Sequence, residues 1–233
     1  MRVAVERSGA DAKALASAGF DAIVVENFGD APFYQDVVPP VTIAAMTACV
    51  LAVREEAPRI PIGVNVLRND ARAALAIAVA TGASFIRVNV LSGARVTDQG
   101  VIEGRAAEVM RERAAIAKNV RVFADVDVKH SAPLAARAIE DEVAEVAERA
   151  LADAVLVTGR ATGSAADEDD LARVRRATKL PVLVASGATE KSVRALLGKC
   201  DGVIVGTAIK RGRRAGAAVD LALAKRFVRA ARR

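Results

Sequence analysis

Alternation along Val120–Val128 puts Phe123, Asp125, Asp127 and Lys129 on one face of a strand, and Val122, Ala124, Val126 and Val128 on the other. The aliphatic face must meet a helix layer, so the carboxylates and the lysine point the opposite way. His130, the single histidine of the chain, follows directly. Carboxylates, an ammonium and an imidazole at one strand end shift one another's pKa and can supply an acid–base pair. Asp125, Asp127 and His130 also form a candidate divalent-metal set with Glu26 as a further ligand, although no second histidine strengthens it. Lys129 could serve as a cation or, with a depressed pKa, as a Schiff-base amine. A plainer reading is a layer of internal salt bridges, with Arg87 and Lys129 balancing Asp125 and Asp127, because buried charges need partners either way.

Other polar groups stand at comparable positions. In Ser84–Val90 the alternation turns Phe85, Arg87 and Asn89 inward, and Glu26, Asn27 and Asn65 close two earlier β-branched runs. Glu26 joins the candidate acid–base set, and Asn27, Asn65, Arg87, Asn89, Asp98 and Thr158 are candidates for orienting a substrate. Two further segments, Ala185–Thr189 and Val205–Lys210, each join a strand to a helix through small residues. Backbone N–H groups can approach an anion closely at such junctions, so Ser186, Gly187, Gly206 and Thr207 are candidate phosphate ligands. Lys210 could support the phosphate or lie on the surface. Thr158–Gly163 could close over a ligand or simply connect two elements. The rings of Phe28, Phe33 and Tyr34 could wall a pocket or cover the barrel mouth.

These residues need a frame that collects strand ends. Seven short β-branched runs end in polar clusters and alternate with alanine-rich stretches of helical spacing. Such alternation implies a parallel sheet, and a parallel barrel gathers the C-terminal strand ends on the face where barrel enzymes build their sites. The last two βα loops of a barrel are a common phosphate site, which matches the two small-residue junctions. The spacing predicts a helix over Arg2–Ala18, stopped by Gly19, and a long polar loop over 91–103 that could act as a lid. No linker divides the chain, so a single domain over residues 1–233 is expected.

Composition narrows the classes. Of 233 residues 53% are hydrophobic and only 3% aromatic, which gives an aliphatic core without stacking surfaces for nucleic acid. Two cysteines make no disulfide framework, so a reducing cytoplasm is the expected compartment. No apolar run approaches the ~18 residues of a spanning helix. The net charge of +6 is concentrated in Lys210–Arg214 and Lys225–Arg233. Such clusters suit a solvated basic rim that attracts phosphorylated substrates, or peripheral contact with an anionic membrane. No sequence-specific nucleic-acid motif is present.

Several longer motifs carry a family resemblance. They are Val25-Glu26-Asn27-Phe28-Gly29-Asp30, Gly63–Asp70, Ile86-Arg87-Val88-Asn89-Val90, Asp98-Gln99-Gly100, Ala124–His130 and Ser186-Gly187. Together they resemble the BtpA (SgcQ) family across nearly the whole chain. The resemblance implies a (β/α)8 TIM barrel of the ribulose-phosphate-binding type. It implies either enzymes of sugar or nucleoside metabolism or membrane-extrinsic factors linked to photosystem I biogenesis. One departure stands out: Val5–Leu15 resembles the first helix of the family, so the first strand is expected to be absent and seven strands to remain. Two exposed edges would invite pairing between copies, hence an expected homo-oligomer. The leading expectation is a barrel enzyme of lyase, isomerase or hydrolase type acting on a phosphorylated sugar or nucleotide-like molecule. The competing expectation is a non-catalytic assembly factor.

Overall fold

The structure is a computed structural model that describes residues 1–159 and 167–232. In chain order its elements are α1 (Arg2–Ala18), β1 (Ile23–Glu26), α2 (Pro40–Glu56), β2 (Ile62–Asn65), α3 (Ala71–Thr81) and β3 (Phe85–Val88). They continue with β4 (Ala94–Thr97), β5 (Gly100–Glu103), α4 (Ala106–Ile116), β6 (Arg121–Val126), β7 (Ser131–Pro133) and α5 (Ile139–Ala144, prolonged by a π turn over Glu145–Arg149). The remainder are β8 (Ala154–Val157), α6 (Glu168–Ala177), β9 (Val182–Val184), α7 (Val193–Leu197), β10 (Gly202–Val203) and α8 (Leu221–Arg232).

Seven strands form one parallel sheet in the order β1-β2-β3-β6-β8-β9-β10. Sequence order therefore matches spatial order, as a barrel built from successive βα units requires. Among the described residues β1 and β10 are its two edges, so the ring of strands is open. The helix layer is not: α1 packs on both α2 and α8 and spans the gap. Its end is set by Gly19, whose φ of 87° is left-handed and whose N–H returns to the Leu15 and Ala16 carbonyls. At α3, Asp70 caps Ala73 N at 2.9 Å and also accepts from Val38 N at 2.9 Å, which ties the preceding loop to the helix start.

The outward faces of the strands and the inward faces of the helices share one aliphatic core, including Val64, Ile86, Val122, Val155 and Val182, all fully buried. Burial falls off toward the open edge. The strands β2, β3 and β8 are buried throughout, whereas Val24 and Val25 of β1 and both residues of β10 are only partly covered.

Inside the sheet the alternation read from the sequence holds. Phe85 and Phe123 stack with ring centroids 4.6 Å apart. Gly63 in β2 makes room for them: a Cβ there would sit 2.1 Å from the Phe85 ring.

Two expectations need correction. The polar loop over 91–103 is a β4–β5 hairpin, and β4 pairs on its other side with β7, giving a three-stranded antiparallel sheet above the barrel mouth. The strand expected to run to Val128 stops at Val126, because Asp127 (φ 49°) and His130 (φ 57°) take left-handed conformations that no strand continues. Of the segment Thr158–Gly163, Arg160–Gly163 lie outside the described residues.

Gly63→Ala is expected to lower unfolding free energy by about 1–3 kcal/mol through overpacking. Denaturant midpoints would show it, and pairing it with Phe85→Leu should cost less than the sum of the two single changes. Strict additivity would mean that the ring is not what Gly63 accommodates.

Candidate functional site

The site grows from one buried ion pair. Arg87 on β3 and Asp125 on β6 face inward from neighbouring strands. Arg87 donates through Nε to Asp125 Oδ1 at 3.2 Å and through Nη2 to Asp125 Oδ2 at 3.0 Å. The Asp125 side chain has no exposure and that of Arg87 only 5%. Asn89 donates to the same carboxylate. On the other side Arg87 Nη1 lies 3.8 Å from Glu26 Oε2, which also accepts from Asn65 Nδ2 at 2.8 Å. Glu26, Asn65, Arg87, Asn89 and Asp125 thus form one chain of polar contacts across β1, β2, β3 and β6. Burial works against the Arg87 charge, but the Asp125 and Glu26 carboxylates outweigh it and raise its pKa.

Beside this chain lie two cations held differently. Arg68, just beyond β2, is 5% exposed, and its Nη2 donates to the Lys129 carbonyl at 2.7 Å. Its Nε is buried without a partner. Burial lowers the Arg68 pKa, with Asp125 and Asp98 opposing. Lys129 follows the same logic: burial lowers its pKa, Glu26 and Asp125 oppose, and Arg87 and Arg68 reinforce. The His130 pKa is likewise lowered, first by partial burial and then by Lys129 and Arg68. An imidazole below its ordinary value is neutral at pH 7.

Other predicted residues serve the scaffold. Asp127 turns away from the interior and pairs with Arg95 of the hairpin, which also holds Glu142 at 3.0 Å and Ser131 Oγ at 2.7 Å. The expected balance of Lys129 against Asp127 is therefore absent, because the left-handed turn at Asp127 reverses its direction. This also dismantles the metal set of Asp125, Asp127 and His130: Asp125 is spent on Arg87 and Asn89, and Asp127 on Arg95. Among the described residues no group of three or more His, Cys, Asp or Glu side chains could hold a metal. Asn27 clamps the next loop, accepting from Leu67 N at 2.7 Å. Thr158 Oγ1 accepts from Lys129 N at 2.8 Å and donates to the Asp127 carbonyl at 3.3 Å, so it stitches the ends of β6 and β8. Asp98 is exposed at the hairpin turn, near enough for Arg68 and His130 to feel its charge.

Sequence reasoning gave no role to Arg68 or Arg95. Arg95 had a signal: Ala94–Thr97 and Val101–Glu103 alternate around Asp98-Gln99-Gly100, a hairpin pattern. Arg68 had only its place in the Gly63–Asp70 motif, since its burial depends on the loop after β2 meeting Lys129. A cavity of about 190 Å³ lies between the hairpin, the ends of β3 and β6, and α5; Asn89, Arg95, Asp125, Asp127 and Glu142 are among its walls.

The small-residue junctions follow β9 and β10, at the same end of the parallel sheet as Asp125. Ser186 Oγ accepts from Gly159 N at 2.9 Å. Gly187 has a left-handed φ of 71°. The N–H groups of Gly187 and Gly206 donate to no group among the described residues, and a Cβ on Gly206 would meet nothing within 4 Å. Thr207 opens a 3-10 turn. Lys210 is tied to Ala215 O at 2.6 Å, and burial lowers its pKa, with Asp11 opposing. Part of the basic C-terminal surface is spent locally, as in Arg226–Glu190 and Arg232–Asp21. No helix among the described residues is long and apolar enough to cross a membrane.

A family model described as the BtpA family matches residues 1–233. Over 227 residues the chain is 44% identical to the photosystem I biogenesis protein BtpA of Synechocystis, covering 97% of this chain and 79% of that protein. Among solved structures, a thiamine phosphate pyrophosphorylase from Pyrococcus furiosus is similar with a TM-score of 0.64 at 15% identity, covering 98% of this chain and 91% of the other. The N-(5'-phosphoribosyl)anthranilate isomerase of the same organism is similar with a TM-score of 0.61 at 17% identity, covering 96% and 93%. These likenesses show the TIM-barrel fold.

Arg87→Met would leave the Asp125 carboxylate buried and unpaired, at an expected cost of about 3–5 kcal/mol in denaturant unfolding. Asp127→Ala, at a half-exposed side chain, should cost under about 1 kcal/mol. Equal costs would contradict this division of roles. For Lys129 the folded pKa lies below the ordinary lysine value, so its protonated form opposes folding. Any stability gained in Lys129→Met should be full below that lowered pKa and fade as pH rises toward the unfolded lysine value. Unfolding curves across alkaline pH check the sign.

Proposed function

The chain belongs to the BtpA family, and from that premise we propose a barrel enzyme acting on a phosphorylated sugar or nucleotide-like molecule at the C-terminal mouth. The phosphate would meet the backbone N–H groups of Gly187 and Gly206 with the hydroxyls of Ser186 and Thr207. Amides without a partner among the described residues, at the ends of parallel strands, suit an anion cradle of the kind that barrel phosphate sites use. The two structural neighbours named above carry phosphate chemistry in their names, which supports the choice of ligand class without identifying it.

Acid–base work falls to Glu26 and Lys129. Glu26 is partly open, and Asn65 fixes its orientation. Lys129 has a pKa lowered first by burial, which eases loss of its proton relative to an ordinary lysine. Arg87 and Asp125 would hold the geometry around them, and Asn89 has a buried carbonyl oxygen without a partner. His130, neutral and at the rim, could relay a proton.

One observation supports the whole most directly. Two hydrogen bonds link the end of β6 through the end of β8 to the loop after β9: Thr158 Oγ1 to the Asp127 carbonyl, then Gly159 N to Ser186 Oγ. This continuity supports a reading in which the acid–base and phosphate groups act on one ligand.

Thermal unfolding with inorganic phosphate and a panel of phosphorylated sugars and nucleotides tests this. A true ligand at 100 times its Kd should stabilise the fold by about 2.7 kcal/mol. In Gly206→Ala a methyl enters the open space at the cradle, and the ligand-induced shift, measured against that variant's own baseline, should be lost. A protein unaffected by every phosphorylated compound would sink the proposal and leave the assembly role suggested by the Synechocystis relative's name.

A further inference from the structure

Three arginines in the described part are buried beyond nine-tenths: Arg68, Arg87 and Arg95. Arg87 meets Asp125 and Glu26; Arg95 meets Asp127 and Glu142. Arg68 alone has no carboxylate within 4 Å among the described residues. Among the described residues its guanidinium makes one hydrogen bond, to the Lys129 carbonyl, and its Nε is buried without a partner. A guanidinium removed from water without a counter-ion is costly, and such groups persist where something supplies the missing charge.

The neighbouring carboxylates are already engaged. Both Asp125 oxygens accept from Arg87, and Asn89 adds a third bond. The Oε2 of Glu26 accepts from Asn65 and faces Arg87. Asp98 acts on Arg68 only from the exposed hairpin turn. Lys129, mostly buried beside Arg68, also has no ion pair among the described residues. Among the described residues, Arg68, Arg87 and Lys129 therefore cluster around two buried or half-buried carboxylates, Glu26 and Asp125, with Lys210 a further half-buried cation that feels Glu26.

We propose that Arg68 and Lys129 form a second anion site, on the β2–β6 side of the mouth, for a carboxylate or second phosphate at the far end of a phosphorylated substrate. The inference rests on the phosphate reading above and deepens it: the substrate is anionic at both ends. A phosphate held at β9 and β10 and an anion held at Arg68 would stretch the intervening carbons past Glu26 and Asn89. The planar fork of Arg68 suits two oxygens, and the Lys129 ammonium adds a point charge. Because Arg68 would touch the end of the substrate and not its reacting atoms, it sets specificity.

Binding is followed by thermal shift and calorimetry with inorganic phosphate, ribose 5-phosphate, 6-phosphogluconate, fructose 1,6-bisphosphate and malonate. In the unaltered protein, at least one compound with two anionic ends should bind roughly 10- to 100-fold more tightly than ribose 5-phosphate. A preference for 6-phosphogluconate marks the second group as a carboxylate, and a preference for the bisphosphate marks it as a phosphate. Arg68→Met should erase that preference and leave inorganic phosphate binding intact, whereas Arg68→Lys should keep part of it. Malonate should still bind to Gly206→Ala and fail to bind to Arg68→Met. That arm reads the second site by itself and separates its failure from failure of the phosphate cradle. Should Arg68→Met fail to fold, Arg68→Lys and Lys129→Met carry the comparison. The proposal is overturned if doubly anionic compounds bind no better than ribose 5-phosphate, or if malonate binds the Arg68 variants as it binds the unaltered protein.

Discussion

The Arg87–Asp125 pair is the constraint on which the barrel mouth depends. Two charges stand inside a sheet of aliphatic strands, and each is tolerable only because the other is present. The pairing follows from register. Arg87 lies opposite Phe123 on the neighbouring strand, so its long side chain reaches diagonally to Asp125. Once the pair is formed, Asn89 is drawn to the same carboxylate and Glu26 to the other end of the guanidinium. The polar layer then rests on the stacked rings of Phe85 and Phe123, for which Gly63 leaves room.

Above the mouth, charge does a different task. Arg95 gathers Asp127, Glu142 and Ser131, and so fastens the antiparallel sheet of β4, β5 and β7 to α5 and to the end of β6. This sheet is a roof attached by ion pairs and few apolar contacts. Its small core is Val90, Ile102 and Val128, and Val96 and Val101 stay exposed on the far face. Segments with little buried apolar area open at low free-energy cost, which suits a cover over a ligand site. The two unclosed features of the molecule are then distinct. Among the described residues the strand ring is open between β10 and β1, where α1 closes only the helix layer, and Arg68 and Lys129 at the mouth have no ion-pair partner.

Much of this was legible in the residues. The seven strand ends, the helix Arg2–Ala18 and its Gly19 stop, and the inward set of Phe85, Arg87, Phe123 and Asp125 all follow from periodicity, because alternation in a strand is a local property. The placement of Gly187 and Gly206 beyond adjacent final strands follows from chain order alone. The illegible part begins where alternation ends. The alternation that puts Asp127 and Lys129 beside Asp125 needs the strand to continue past Val126, and left-handed turns at Asp127 and His130 break it. With that break the metal set dissolved and Asp127 became a partner of the hairpin. The hairpin over Ala94–Glu103 carries a local alternation around Asp98-Gln99-Gly100 that matches its turn. The burial of Arg68 had no local signal, because it depends on the loop after β2 meeting Lys129, 61 residues further along the chain.

By itself, then, the sequence determined the class of fold, the order of the strands and the end of the sheet at which the polar residues collect. Those are consequences of hydrophobic period and chain connectivity, which act over a few residues at a time. Tertiary structure alone decided which charges pair, which stay without partners, and which polar residues serve the frame instead of the mouth. Pairing depends on distances of a few ångströms between side chains far apart in sequence, and on burial, which makes an unpaired charge costly. No local pattern encodes either quantity.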